Sequence, residues 1–198
     1  MTRPSARSSV PEPQDEMKPG DALIVVDVQN DFCPGGALPI DESDSVVPIL
    51  NRWIARAVAN GVPIYASRDW HPAGHISFRE SGGPWPPHCL QDTDGARFHP
   101  GLQLPPSVIK VTKGVRFDQD QNSAFDQTGL AAELRKRHIE RVWVGGLAQD
   151  VCVLATVLGA LREGFAVVVI EGATRPVTAD GGAKALRAMR DAGALCLA

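Results

Sequence analysis

Several short stretches carry side chains that could do covalent or acid–base chemistry, and a thiol stands first among them. Cys152 closes the run Gly145-Gly-Leu-Ala-Gln-Asp-Val-Cys152. The two glycines predict a tight strand-to-helix turn, and Asp150 a helix N-cap. Leu154, Val157, Leu158 and Leu161 follow at helical spacing, the buried stripe of that helix. Cys152 then falls in the first helical turn, where free N–H groups and the helix dipole favour a thiolate. A cysteine taken at random is more often a small buried hydrophobe, so position has to select it. Cys33 and Cys89 lie in loops and Cys196 in a terminal core strand, with no helix start beside them. Asp27 and Lys113 each end an extended segment. A carboxylate there is costly unless paired or used, and a lone lysine reads as a surface cation. Together, thiol, acid and ammonium supply a nucleophile, a proton carrier and a cation that holds both charges.

A second set could bind metal. Asp69-Trp-His71 places two ligands two residues apart, on one side of an extended chain. Trp85-Pro-Pro-His88 could add a third. One carboxylate and two imidazoles with open positions suit Zn²⁺, Fe²⁺ or Mn²⁺ in a catalytic site. His75 and His99 are further candidates, whereas His138 sits in a helical stretch and reads as surface. The D-x-H spacing is common by chance, and nearness to the thiol site is what gives it weight.

The elements that must position these groups alternate between two periods. Residues 22–28 (ALIVVDV) form a continuous apolar run, as in a parallel strand buried on both faces. Val46, Val47, Leu50, Trp53, Ile54, Ala57 and Val58 recur at helical spacing, and Gly61 closes that helix. Strands are predicted at 63–67, 108–111, 141–144, 165–170 and 194–197, with helices at 133–137, 150–163 and 179–191. This alternation implies right-handed crossovers and a single-domain, doubly wound, mostly parallel six-stranded sheet, α/β in class, with helices on both faces. Ligands of such sheets sit beyond the carboxyl ends of the strands, where Asp27, Asp69, His71, Lys113 and Cys152 all fall. Residues 68–107 show no period and are dense in Gly, Pro, Trp and His; so long an irregular stretch is usually functional.

Composition excludes other classes. With 198 residues, one domain is expected, and 20 Lys and Arg against 23 Asp and Glu give a net charge of −3. That is not the basic footprint that nucleic acid requires. No GxGxxG or P-loop pattern follows the first strand. No apolar run is long enough to span a bilayer, so no membrane partner is expected. Residues 1–20 are rich in Pro, Ser and charge and lack a hydrophobic segment. They read as a disordered tail ahead of a domain at 21–198, not as a secretory signal. A cytoplasmic location with free thiols is the expectation.

The segments DVQNDFCPGGAL (27–38), SRDWHPAGHISF (67–78), WPPHC (85–89), KG (113–114) and GLAQDVCV (146–153) together resemble the nicotinamidase/pyrazinamidase family. Its members are isochorismatase-like cysteine hydrolases. HCLQDTDGARFHP (88–100) extends the likeness, which runs in order from about residue 21 to 175. The resemblance implies the isochorismatase-like hydrolase fold and a catalytic triad of Asp27, Lys113 and Cys152. It implies a divalent metal, with zinc foremost and iron or manganese as alternatives, bound by Asp69, His71 and His88; a role for His75 is left open. It also implies a cis Leu147–Ala148 peptide, an oxyanion hole of the Ala148 and Cys152 backbone N–H groups, and pyridine-ring walls at Phe32 and Trp85. The activity implied is hydrolysis of nicotinamide to nicotinate and ammonia through a cysteine thioester, in NAD salvage, with action on pyrazinamide. Many relatives have tyrosine where this chain has Asn122, which leaves the preference among pyridine and pyrazine amides open.

Three other readings are carried forward. One is a metal-free hydrolase of the same superfamily acting on another small amide or an isochorismate-like ether. The second is a binding module without activity, against which the complete triad speaks. The third is a zinc hydrolase in which metal-bound water attacks directly. Self-association stays open at this level, a homo-oligomer included.

Overall fold

The computed structural model describes residues 16–198. The chain runs β1 (Asp21–Val26), α1 (Val46–Ala59), β2 (Ile64–Asp69), β3 (Ile109–Lys113), α2 (Leu130–Lys136), β4 (Arg141–Leu147), α3 (Leu154–Arg162), β5 (Ala166–Arg175), α4 (Ala179–Asp191) and β6 (Leu195–Leu197). All six strands pair in parallel, in the order β3-β2-β1-β4-β5-β6. The expected six-stranded sheet is therefore present. Its strand order reverses between β1 and β4, the crevice where doubly wound sheets bind ligands.

Each strand of the centre is apolar on both sides because each side meets a core. Leu23 and Val25 of β1 point into one core with Val46, Leu50 and Ile54 of α1. Ala22, Ile24 and Val26 point into the other, with Leu134 of α2, Val157 of α3 and Met189 of α4. The helix α1 ends as its sequence predicts: Asn60 caps it and Gly61 takes a φ of 65°, a left-handed conformation that glycine adopts cheaply. Val58, however, is 55% exposed and lies off the buried stripe.

Four local expectations need correction. Gly145 and Gly146 do not make the turn; β4 continues through both to Leu147. Gly146 has a φ of 131°, and a Cβ there would run into the backbone of Val26, so it lets β4 lie close against β1. Asp150 is not an N-cap. Its carboxylate accepts the N–H groups of Val177 at 2.8 Å and Thr178 at 3.3 Å, tying the entry of α4 to the segment after β4. Residues 149–153 form one wide π-type turn ahead of α3. Finally, the packed chain begins before residue 21: Met17 is buried in the α1-side core, and the Asn60 amide donates to its carbonyl at 3.1 Å. The rest of the expected tail, residues 1–15, lies outside the described residues.

The irregular region 68–107 is held by side chains. Asp31 accepts the Cys89 N–H at 2.7 Å and the Ala37 N–H at 3.1 Å, joining two loops. His71 bridges to Leu90 and Phe78 to Trp85 as isolated strand-like pairs. No helix among the described residues is long and apolar enough to cross a membrane. All four cysteines are free thiols.

Candidate active site

The side chains singled out by position converge at the carboxyl ends of four adjacent strands. Asp27 follows β1 with a φ of 47°, Asp69 ends β2, Lys113 ends β3 in register with Asp69, and Cys152 lies in the turn after β4. Asp27 and Lys113 are fully buried, and Asp69 and Cys152 nearly so. The Lys113 ammonium is 2.8 Å from Asp27 Oδ2, 2.6 Å from Asp69 Oδ1 and 3.5 Å from Cys152 Sγ. Donor atoms of Asp27, Asp69 and Cys152 lie within 4.8 Å of one another.

Burial sets the proton balance of this cluster. It pushes the Asp27 carboxyl up, and Lys113 only partly opposes it. Burial also works to raise Asp69, but Lys113, His71 and His88 hold it below the usual carboxylate range. Lys113 is held well above the ordinary lysine value because its two carboxylates outweigh its own desolvation. For Cys152, burial dominates and raises the thiol, with Lys113 pulling the other way. The resting thiol is therefore protonated, a correction to the thiolate expected from a helix start. Asp27 suits it as a partner. Oδ1 accepts from Ser67 Oγ at 2.7 Å, whereas Oδ2 has the Lys113 charge beside it but no donor aligned with it. The carboxylate thus stands beside the thiol and is paired with the Lys113 ammonium.

The second set converges beside the first. Asp69, His71 and His88 offer donor atoms within 4.8 Å of one another. His71 Nδ1 lies 3.0 Å from the His88 carbonyl, and His88 Nδ1 lies 2.8 Å from the Pro86 carbonyl. A carbonyl requires N–H at Nδ1, which leaves both Nε2 atoms as bare lone pairs, the tautomer that a metal needs. Burial lowers His71 to about 4, so it is neutral at ordinary pH. Gly114 follows with a φ of 68°, and a Cβ there would come within 2.7 Å of His71 Nε2. These residues fit a divalent ion.

His75 is arranged differently. Its ring is buried 4.4 Å from that of His71, but its Nδ1 accepts the Ser77 N–H at 3.3 Å and lies 2.7 Å from Ser77 Oγ. The proton is then on Nε2, which has no partner. His71, His75 and Asp120 also offer donor atoms within 4.8 Å of one another, a second group beside the first. His99 accepts the Gly101 N–H and stands apart from these clusters, and His138 is exposed after α2.

A pocket joins the two sets. Phe32, Trp85, Ile40 and Val151 give it apolar walls, while Cys152, Asp69, His71 and His88 face into it. Ala148 also lines it. The Leu147–Ala148 peptide is cis, as expected. Ser77, Asp120 and Asn122 supply the other polar groups. Ser77 and Asp120 were not singled out from sequence, because loop residues acquire such positions only when the chain folds. Gln29 was also missed. It is fully buried, accepts the Asp69 N–H at 2.8 Å and donates to the carbonyls of Asp69 at 2.8 Å and Ala96 at 2.9 Å. It fixes the backbone that carries Asp69. Its signal was a long polar side chain directly after a buried strand.

Comparison with known proteins agrees with this geometry. The isochorismatase domain model matches residues 21–198. The Escherichia coli nicotinamidase is 40% identical over 180 residues, covering 80% of this chain and 84% of that protein. The Pyrococcus horikoshii pyrazinamidase, solved in complex with zinc, superposes with a TM-score of 0.88 at 43% identity, covering 90% of this chain and 99% of that one. PnC1 of L. infantum, solved in complex with nicotinate, gives 0.84 at 36% identity, covering 92% and 94%. A buried thiol, acid and lysine at the switch point of a parallel sheet, and matches that span nearly the whole described chain, place this protein in the isochorismatase family.

Proposed function

We propose that the protein is a nicotinamidase, an amidohydrolase that converts nicotinamide to nicotinate and ammonia and also accepts pyrazinamide, with NAD salvage as its context. The observation that carries this reading is the position of Cys152: its thiol lines an aromatic pocket whose floor holds Asp69, His71 and His88. Its likeness to nicotinamidases and to a pyrazinamidase supports the choice of substrate.

Phe32 and Trp85 flank the pyridine ring in this reading. Cys152 gives its proton to the Asp27 carboxylate as sulfur attacks the carboxamide carbon, and the oxyanion forms against the backbone N–H groups of Ala148 and Cys152. Asp27 returns that proton to the departing nitrogen, which leaves as ammonia, and a thioester remains. Asp27 then takes a proton from water as the water attacks the acyl carbon. The proton passes to sulfur as the thioester breaks, releasing nicotinate and restoring the thiol. Lys113 keeps a positive charge beside Asp27 and Cys152 throughout, lowering the cost of each buried anion.

Asp69, His71 and His88 would hold the metal, for which zinc is our assignment. Bound there, it would act as a template for the ring end of the substrate, since the nucleophile is sulfur. A metal-free hydrolase is disfavoured, because it would have no use for two paired Nε2 lone pairs beside a carboxylate.

The test is ammonia release from nicotinamide by the purified protein, before and after chelation and again with zinc restored. Release that falls on chelation and returns with zinc is expected. No release with zinc present and the fold intact would move the substrate elsewhere in the family.

A further inference from the structure

Outside the catalytic pocket, the helix that follows the nucleophile presents a second apolar surface. Val151, Leu154, Ala155 and Leu158 are only half-buried, and they line a groove together with Asp126, Asp150 and Arg162. At about 100° per residue, Leu154, Ala155, Leu158 and Arg162 fall within one arc of roughly 100°, the pattern of a helix face that packs on another helix. No described element covers it.

The ends of this face differ in charge. Asp150 stands in the turn that leads into α3 and Arg162 is the last residue of the helix, while Asp126 borders the middle of the groove, where the Ala124 N–H donates to Thr156 Oγ1 at 3.0 Å. Arg162 is exposed and makes no hydrogen bond or ion pair among the described residues. Asp126 and Asp150 are fixed by backbone donors, Ser123 N–H at 2.8 Å and Val177 N–H at 2.8 Å. Acid at one end, base at the other and an apolar stripe between make the face complementary to itself, provided that two copies meet antiparallel. That is the requirement of a two-fold interface.

We propose that a second copy of this chain docks here, α3 against α3 about a two-fold axis near Ala155. Arg162 of one protomer faces Asp150 of its partner, and the small side chain of Ala155 lets the helices approach. Val151 and Asn122 line both this groove and the catalytic pocket, so the partner stands at the edge of the active site.

Light scattering after gel filtration tests the association, at concentrations up to on the order of 100 μM to include weak interfaces. The full chain should run at twice its own mass and Leu158→Glu at the single mass with an unchanged circular dichroism spectrum. Arg162→Glu, at a solvent-exposed position that does not endanger folding, should weaken the dimer by about tenfold, the effect of roughly 1.4 kcal/mol. Under mild oxidation Ala155→Cys should give a disulfide-linked dimer, and Arg187→Cys on the far face of α4 should not. A wild-type protein that stays at the single mass throughout overturns the proposal. So does a dimer that survives both Leu158→Glu and Arg162→Glu, or an Ala155→Cys variant that never cross-links.

Discussion

The ammonium of Lys113 lies 2.6 Å from Oδ1 of Asp69, so the cation of the nucleophile site is bound to the acid of the metal-ligand set. The two sites are therefore one electrostatic unit. Asp27 and Asp69 place two buried carboxylates beside one ammonium, leaving an excess of negative charge that a dication would offset. Metal should thus stabilise the fold as well as position substrate. Zinc at a hundred times its Kd is expected to add about 2.7 kcal/mol to unfolding. The measurement is the denaturation midpoint with and without chelator; an unchanged midpoint would dissociate the metal from this charge balance.

Replacing Cys152 by alanine removes sulfur and leaves the Asp69, His71 and His88 donor set untouched. Turnover of nicotinamide should fall by on the order of 10⁴-fold or more, while metal content stays at the wild-type level. Ammonia release and metal analysis on the same sample check both halves. Residual turnover near wild type would indicate attack by metal-bound water.

Lys113→Met tests the buried charge. It keeps the volume of the stem but strands Asp27 and Asp69, each deprived of its cation. Breaking a buried ion pair in this manner costs about 3–5 kcal/mol, so the denaturation midpoint should drop sharply and hydrolysis should be lost. A variant as stable as the parent would show that the carboxylates are already neutralised by other means.

Gly114→Ala reaches the metal set from behind. The added Cβ would press on His71 Nε2, and the positive φ would cost about 1–2 kcal/mol for a residue with a side chain. Zinc affinity should decline well beyond what the loss of stability explains. Titration with zinc against a chelator of known affinity reads this directly, and wild-type affinity would show that the loop yields.

Gly146→Ala probes the strand approach instead. Its Cβ would strike the Val26 backbone at a φ of 131°, which combines overpacking with backbone strain for a penalty on the order of 4 kcal/mol. A soluble variant of unaltered stability would contradict the close contact of β1 and β4.

Much of this architecture was legible in the chain. The uninterrupted apolar residues of β1 require a sheet covered on both faces, and the helical spacing from Val46 to Ala57 names the side of α1 that covers it. Helix α4 appears over the predicted residues, 179–191, because Thr178 caps it by accepting the Gly181 N–H at 3.0 Å. The glycines before Cys152 were harder to read. Glycine permits both a turn and a close strand contact, and only the neighbouring Val26 decides between them. Asp150 had the same ambiguity: an acid near a helix start caps whichever N–H groups the fold brings near, here those of residues 177 and 178.

What the sequence determined by itself was therefore the order of strands and helices, and the fact that Asp27, Asp69, Lys113 and Cys152 end at one rim. Periodicity and strand polarity are local properties, and they suffice for that. Only the tertiary structure decided which proton each of these groups keeps. The thiol of Cys152 is held protonated, His71 is held neutral and Asp27 is raised because burial removes the water that would solvate their charges. Burial is the sum of contacts from residues far apart in the chain, and no local pattern encodes it.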